Sequence, residues 1–276
     1  VEQDSQFQFI KSRHLPEVTA LQAEMDGFTY DKHAHEEYAF GVTLSGRQDF
    51  FSNGQFHKSP PGNIIHLKPE EVHDGHSGVE EPLSYVMLYV HPRQIEPLFA
   101  DAAGVQRIDD VRMSETLVQD PVLRQHIMEL VRLITDNVGS RIEQEHALLR
   151  IASRVVQRVG HYEPDELTRR ADALLQRAKD FIHHHVDADL SLEDISDAAN
   201  LSKYHFLRLF RRQFGITPHQ YVINCRINAA RTALETGEPL NDVVYRYGFS
   251  DLSHFNRRFK RIYGMTPKQY QSSIRR

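Results

Sequence analysis

Two periods divide the chain. Over roughly the first 100 residues, short runs of aromatic and β-branched residues alternate with a period of two. They are broken by Ser45-Gly46, Asn53-Gly54, Pro60-Pro61-Gly62-Asn63 and Ser77-Gly78. In a strand successive side chains point to opposite faces, so this alternation with frequent turn signals predicts a small antiparallel sandwich or barrel. The last run, Ser84–Val90, sets Tyr85, Met87 and Tyr89 against Val86, Leu88 and Val90. One of its faces is expected to line an aromatic pocket.

From Ser114 to about His161 the spacing becomes three and four. Leu123, Ile127, Leu130, Val131 and Ile134 form one stripe, and Ile142, Leu149, Ala152, Val156 and Val159 form another, with Gly139-Ser140 between them. This predicts an αα-hairpin, which either covers the strands or forms a dimer interface. Residues 161–171, with Pro164 and few apolar positions, read as a linker between a first domain, 1–160, and a second, 172–276. Helical spacing resumes at Ala173, Leu174, Ala178, Phe181 and Ile182. It is expected to end at His183-His184-His185, a solvated last turn whose partial negative charge suits cations.

The second domain repeats itself. Phe206, Arg208, Phe210, Arg212, Phe214, Gly215, Thr217, Pro218, Gln220 and Tyr221 return, with Tyr in place of Phe214, as Phe255, Arg257, Phe259, Arg261, Tyr263, Gly264, Thr266, Pro267, Gln269 and Tyr270, 49 positions on. Upstream the match continues at 48 positions, from Leu192, Ile195, Leu201 and Ser202 to Leu240, Val243, Phe249 and Ser250. A duplicated unit performs one task twice. Each copy reads as a helix-turn-helix. Ser191-Leu-Glu-Asp194 starts a helix, Asn200-Leu201 turns, and Ser202 caps a second helix that buries Phe206, Leu209 and Phe210. In the second copy Asn241 and Ser250 are expected to cap, Gly248 to turn, and Phe255 and Phe259 to pack.

Outward on the first copy stand Lys203, Tyr204, Leu207, Arg208 and Arg211; on the second, Ser250, Ser253, Asn256, Arg257 and Lys260. Guanidinium groups can grip guanine O6 and N7, apolar atoms can meet the thymine methyl, and flanking cations neutralise phosphates. A DNA groove is the expected partner. Thr217 and Pro218 begin a helix running to Gly237, a strut of about 28 Å, near the roughly 34 Å of one duplex turn.

Charge follows the same division. The chain as a whole carries −5, whereas residues from Ala171 onward hold 16 Lys and Arg against 11 Asp and Glu, leaving 17 against 27 before them. The second domain is thus +5 and the 170 residues before it −10, which places the polyanion partner with the second. A single cysteine, Cys225, excludes an internal disulfide, and the absence of a long apolar run or a leader-like start predicts a reduced cytoplasmic setting with no membrane partner.

Candidate chemistry in the first domain lies in His33-Ala34-His35, with Glu37 expected on the same strand face, and in His73. With Tyr38 and Tyr85 these residues are the expected small-molecule pocket. Imidazoles and a carboxylate also suit Zn, Fe or Ni, so His33, His35 and His73 are a secondary candidate metal site.

Together the repeat, Gly248-Phe249-Ser250-Asp251 and the final Gly264-Met265-Thr266-Pro267-Lys268-Gln269-Tyr270 resemble the AraC/XylS family of regulators. The first domain resembles the cupin-like effector domain often found with them. The resemblance implies an α+β chain: an antiparallel β-barrel with a helical hairpin, then an all-α domain in which a linker helix joins two helix-turn-helix motifs. It implies base reading by Tyr204, Leu207, Arg208, Ser253, Asn256 and Arg257, and as partners promoter DNA, a small-molecule effector, a second protomer and RNA polymerase. In metal-binding cupins a glutamate follows the His-x-His pair; its expected place here is about Ala39, with Glu37 two residues early. A ligand-responsive regulator without catalytic activity is the expected function. The alternatives are a cupin-type metalloenzyme fused to a DNA-binding domain, and a DNA binder that needs no ligand.

Overall fold

The computed structural model describes residues 5–104, 115–158, 166–249 and 251–274, the side chains of 166–172 and of Tyr204 excepted. Nine strands open the chain: β1 (Gln6–Lys11), β2 (Val18–Met25), β3 (Thr29–His33), β4 (Tyr38–Ser45), β5 (Gln48–Ser52), β6 (Gln55–Ser59), β7 (Ile64–Leu67), β8 (His73–Ser77) and β9 (Leu83–Val90). Helices α1 (Pro92–Ala103), α2 (Pro121–Thr135) and α3 (Arg141–Arg158) follow, with the short strand β10 (Leu117–Val118) before α2. One sheet has the order β1-β2-β9-β4-β7-β10, the other β3-β8-β5-β6.

Alternation decides what each face of the larger sheet meets. Val18, Ala20, Phe40, Val42, Ile64, Val86, Leu88 and Val90 form one core with Ile95 and Phe99 of α1, Leu123, Ile127 and Val131 of α2, and Leu148, Ile151 and Val155 of α3. Each such side chain removed from water contributes about 1.5–3 kcal/mol. The intervening Leu21, Ala23, Ala39, Ile65, Tyr85 and Met87 are also buried. A sheet buried on both faces is the predicted barrel-like architecture with a helical cover. The hairpin itself is capped by Asp120, whose Oδ1 accepts from the amides of Val122 and Leu123, both at 3.0 Å.

The second domain is helical throughout: α4 (Glu166–His184), α5 (Leu192–Ala198), α6 (Lys203–Phe214), α7 (Pro218–Glu235), α8 (Leu240–Arg246), α9 (Leu252–Tyr263) and α10 (Pro267–Ile274). A capping box starts α5 from Ser191 and Asp194, as the sequence predicts, and the expected N-cap Thr217 of α7 forms a capping box with Gln220 as well. By its internal contacts the chain divides into two units; the second takes in 30–35 and 71–73 together with 164–276.

Several expectations are corrected. The strand region ends at Val90, and α1 follows at once, entered through Pro92 with the His91 side chain accepting from the Arg93 amide. The expected linker lies partly outside the described residues, at 161–165, and is helical from Glu166. Ser250 also lies outside them, and Asp251 caps α9, its Oδ1 2.7 Å from the His254 amide. Helix α8 begins at Leu240 behind Pro239 with no side-chain cap, so Asn241 has no capping role. His183 is no solvated turn residue: its Nε2 lies 3.2 Å from the Tyr221 hydroxyl.

Candidate nucleic-acid interface and ligand site

The second helix of each motif is fixed by its buried side. Phe206 and Phe210 on α6, and Phe255 and Phe259 on α9, are fully enclosed. Around them the repeat builds the same aromatic stack twice. Phe210 meets Tyr221 at 5.4 Å, and Phe259 meets Tyr270 at 5.6 Å, both edge to face. The tight turns match as well: Asn200 (φ 53°) stands before α6 where Gly248 (φ 71°) stands before α9. Asn is the side chain that best tolerates the left-handed region, and Gly carries no penalty there.

With the phenylalanines inward, the opposite faces are set. Lys203, Leu207, Arg208 and Arg211 are exposed on α6, and Ser253, Arg257 and Lys260 on α9, with Asn256 half-buried beside them. Leu207, at 37% exposure, is an apolar side chain presented to solvent among cations, as contact with a thymine methyl requires. Lys203 Nζ lies 2.9 Å from Glu193 of α5, an exposed pair that a phosphate can replace at little cost. The side chain of Tyr204 and the whole of Ser250 lie outside the described residues.

Helix α7 is the strut between the two motifs, and its 18 residues span about 27 Å. Its interior is unusually polar. Asn228 is 6% exposed; its Oδ1 accepts from the Tyr263 hydroxyl at 2.6 Å and its Nδ2 donates to the Ala34 carbonyl at 2.9 Å. Asn224, one turn earlier, is equally buried. Arg226 donates from Nε to the Val186 carbonyl at 3.2 Å and from Nη2 to the Ala188 carbonyl at 2.7 Å. None of these three was singled out from the sequence. Two asparagines four residues apart among Tyr221, Val222, Cys225 and Ile227 were the available signal, since Asn is disfavoured inside a helix unless its amide is used.

In the second unit His33, His35 and His73 converge. Ring centroids stand 4.4 Å apart for His33 and His73, 5.0 Å for His35 and His73, and 6.4 Å for His33 and His35. The Nδ1 of His33 is 2.7 Å from the Asp31 carbonyl and that of His73 is 2.8 Å from the Glu71 carbonyl. A carbonyl only accepts, so both rings carry their proton on Nδ1. Burial lowers the pKa of each to about 3, helped by His73 beside His33 and by His35 beside His73, and opposed by those carbonyl bonds. Both rings are therefore neutral at physiological pH.

They do not share a strand face as expected. β3 ends at His33 and β4 begins at Tyr38, and the carbonyl of Ala34 is taken by Asn228 instead of a neighbouring strand. Neutral imidazoles are the right chemistry for a metal, yet among the described residues no group of three or more His, Cys, Asp or Glu is arranged to hold one.

The remaining predicted pocket residues separate. Glu37 is buried beside the start of β4. Tyr38 is half-buried against the helical cover, its hydroxyl 3.2 Å from Glu96 and its ring 5.5 Å from Phe99. Tyr85 is buried on the alternate face of β9, opposite Thr43, whereas Tyr38 lies opposite Val90. The two tyrosines thus occupy opposite faces and opposite ends of the β4–β9 pair.

Comparison with known proteins agrees with this division. A family described as an AraC-like ligand binding domain matches residues 15–152, and a helix-turn-helix domain family matches 195–273. The regulator YbfI of Bacillus subtilis, itself described as uncharacterized, is 28% identical over 81% of this chain and 80% of its own. The XylDLEGF operon transcriptional activator of Pseudomonas putida is 23% identical over 78% of this chain and 68% of its own. Among solved structures, ToxT from Vibrio cholerae shares the fold with a TM-score of 0.60 at 16% identity, covering 99% of each chain. ToxT has also been solved with an unsaturated fatty acid bound.

Proposed function

Because this chain belongs to the AraC/XylS family of transcription regulators, we propose that it binds promoter DNA as a homodimer through α6 and α9, under control of a small molecule held by its first domain. The observation that carries the reading is the pair of reading helices. Each is locked by the same two buried phenylalanines, and each turns an Arg-bearing polar face to solvent. Phosphate contacts from Lys203, Arg211 and Lys260 supply affinity, and Leu207, Arg208, Ser253, Asn256 and Arg257 supply sequence preference.

A ligand controls occupancy only through different affinities for two arrangements of the protein. That the effector is a small molecule is supported by the ligand-binding family match and by the fatty acid in ToxT, and the converged His33, His35 and His73 are its proposed contacts. The dimer is supported by Ile142 and Leu149, seven residues apart on α3 and 72% and 39% exposed. Relatives named as operon activators support a contact with RNA polymerase. The protein acts in the cytoplasm without catalysing a reaction, in keeping with relatives that are regulators. Among the described residues no helix is long and apolar enough to cross a membrane.

The direct test is capture of genomic fragments by the full chain, followed by salt-controlled titration of those recovered. The expected result is a shared motif with two recognition elements about one helical turn apart and an affinity that falls steeply with salt. Fragments with no common motif would refute sequence-specific reading.

A further inference from the structure

The repeat allows α6 and α9 to be compared position by position, 49 residues apart, on the face that each turns to solvent. Three outward positions are the same in both copies: His205 and His254, Arg208 and Arg257, Arg212 and Arg261. Spaced three and four apart, each trio falls on one stripe of its helix. The neighbouring stripe differs between the copies, where Tyr204 and Leu207 of α6 become Ser253 and Asn256 of α9. Constant and variable positions are therefore sorted by angle around the helix, not mixed along it.

Core packing does not account for the constant stripe. His205, Arg208, Arg212, Arg257 and Arg261 are exposed, and His254 is half-buried beside Phe249. Among the described residues the four guanidiniums have no acidic partner, in contrast to Arg150, Arg154 and Arg158 of α3, which are all paired. Both stripes start from a fixed first turn. Ser202 Oγ accepts from the His205 amide at 3.4 Å, and Asp251 Oδ1 from the His254 amide at 2.7 Å. Two helices that meet different base pairs still meet the same sugar–phosphate chain, whose charge does not vary with sequence. We propose that the constant stripe is a backbone clamp. Arg212 and Arg261 pair with phosphates, and the His205 and His254 rings donate to phosphate oxygens, so that both helices sit in the groove in the same register. Base preference then lies in the variable stripe, Tyr204 and Leu207 against Ser253 and Asn256. Arg208 and Arg257, on the edge of the constant stripe next to the variable one, read one base common to both elements. The assignment rests on the DNA-binding reading above and adds which exposed residues position the helices and which discriminate.

The test is selection of sites by the full chain from duplexes randomised across both elements, followed by titration at several salt concentrations. Arg212→Gln and Arg261→Gln, both at exposed positions, should select the wild-type motif, and each should reduce the slope of log affinity against log salt by about 0.9. Tyr204→Ser combined with Leu207→Asn gives α6 the variable pair of α9. It should convert the preference of the first element to that of the second and leave the salt slope unchanged. Leu207→Asn alone, at an exposed position, should make part of that conversion and decides the matter if the double variant does not fold. An unaltered slope in both arginine variants, an altered motif in either, or an unconverted first element would each overturn the clamp. A wild type that selects no motif would refute sequence-specific reading itself, and the clamp with it.

Discussion

The guanidinium of Arg226 occupies the space that a side chain on Gly248 would need: its Nη1 lies 2.9 Å from the position of a Cβ built there. Gly248 makes the turn of the second motif at φ 71°, and the same arginine reaches the carbonyls of Val186 and Ala188 in the loop between α4 and α5. One residue of the strut therefore touches both motifs' supporting loops. Gly248→Ala must adopt a left-handed backbone and displace Arg226, so it should destabilise the second domain by about 1–3 kcal/mol. Asn200→Gly, at the matching turn of the first motif, should change stability by no more than about 0.5 kcal/mol. Urea unfolding of the two variants checks the contrast; equal effects would mean that the turns are not held as described.

Reading and anchoring side chains should separate in titrations. Arg208→Ala removes an exposed guanidinium that contributes no core contact, and should cost about 1–3 kcal/mol of binding to a recovered site while relaxing sequence preference there. Lys260→Ala should weaken all sequences alike and reduce the slope of log affinity against log salt by about 1. Anisotropy measurements at several salt concentrations distinguish them. Identical behaviour of the two variants would show that α6 and α9 only neutralise phosphates.

Much of the second domain was legible because its signals are redundant. Phe206, Phe210, Phe255 and Phe259 announce the core twice, and Ser191, Thr217 and Pro218 mark helix starts through side chains that bond their own amides. Adjacent good caps blurred the entry to α9, where Asp251 was passed over for Ser250. Helix α1 was missed because Pro97 interrupts its pattern and it buries only Ile95 and Phe99. In the candidate pocket the failure was one of register. Period-two reasoning carried His33 to Glu37 along a single strand, but a partner distant in sequence, Asn228, claims the Ala34 carbonyl and the strand stops. Nor does the sequence contain the β4–β9 pairing that places Tyr38 and Tyr85 on opposite faces.

Acid should loosen the first domain before carboxylates titrate. His66 is enclosed near Phe40 and Tyr38, and burial, with Lys68 assisting and a backbone bond at Glu115 opposing, lowers its pKa to about 3. In the unfolded chain the ring takes up a proton near pH 6.5. The native state binds fewer protons between those values, so its stability is full above about pH 6.5 and falls as pH drops towards 3, by up to about 1.4 kcal/mol per pH unit for this one ring. His33 and His73, lowered in the same way, act in the same window. Unfolding free energies at pH 7, 6 and 5 for the wild type and His66→Gln should show a shallower slope in the variant, whatever its absolute stability. Parallel slopes would mean that His66 is protonated in the fold.

The hairpin should prove most sensitive at a single carboxylate. Asp120 has a side chain only 1% exposed, and it serves two structures at once. Oδ1 caps α2 at the amides of Val122 and Leu123, while Oδ2 accepts from Arg154 Nε at 2.8 Å and from Arg158 Nη1 at 3.3 Å on α3. Both arginines are about one-third exposed, so water can recover part of what they lose; the amide of the buried Leu123 cannot be rehydrated so easily. Asp120→Ala forfeits the cap, roughly 1–2 kcal/mol, and the cross-helix bonds as well, for a total of about 3 kcal/mol. Asp120→Asn keeps an oxygen for the cap and surrenders the charge, so it should recover about 1 kcal/mol of that loss. Thermal unfolding of both variants, with Arg154→Ala to remove the cross-helix bond alone, separates cap from pair. An Asn variant no better than Ala would place the whole contribution of Asp120 in its charge.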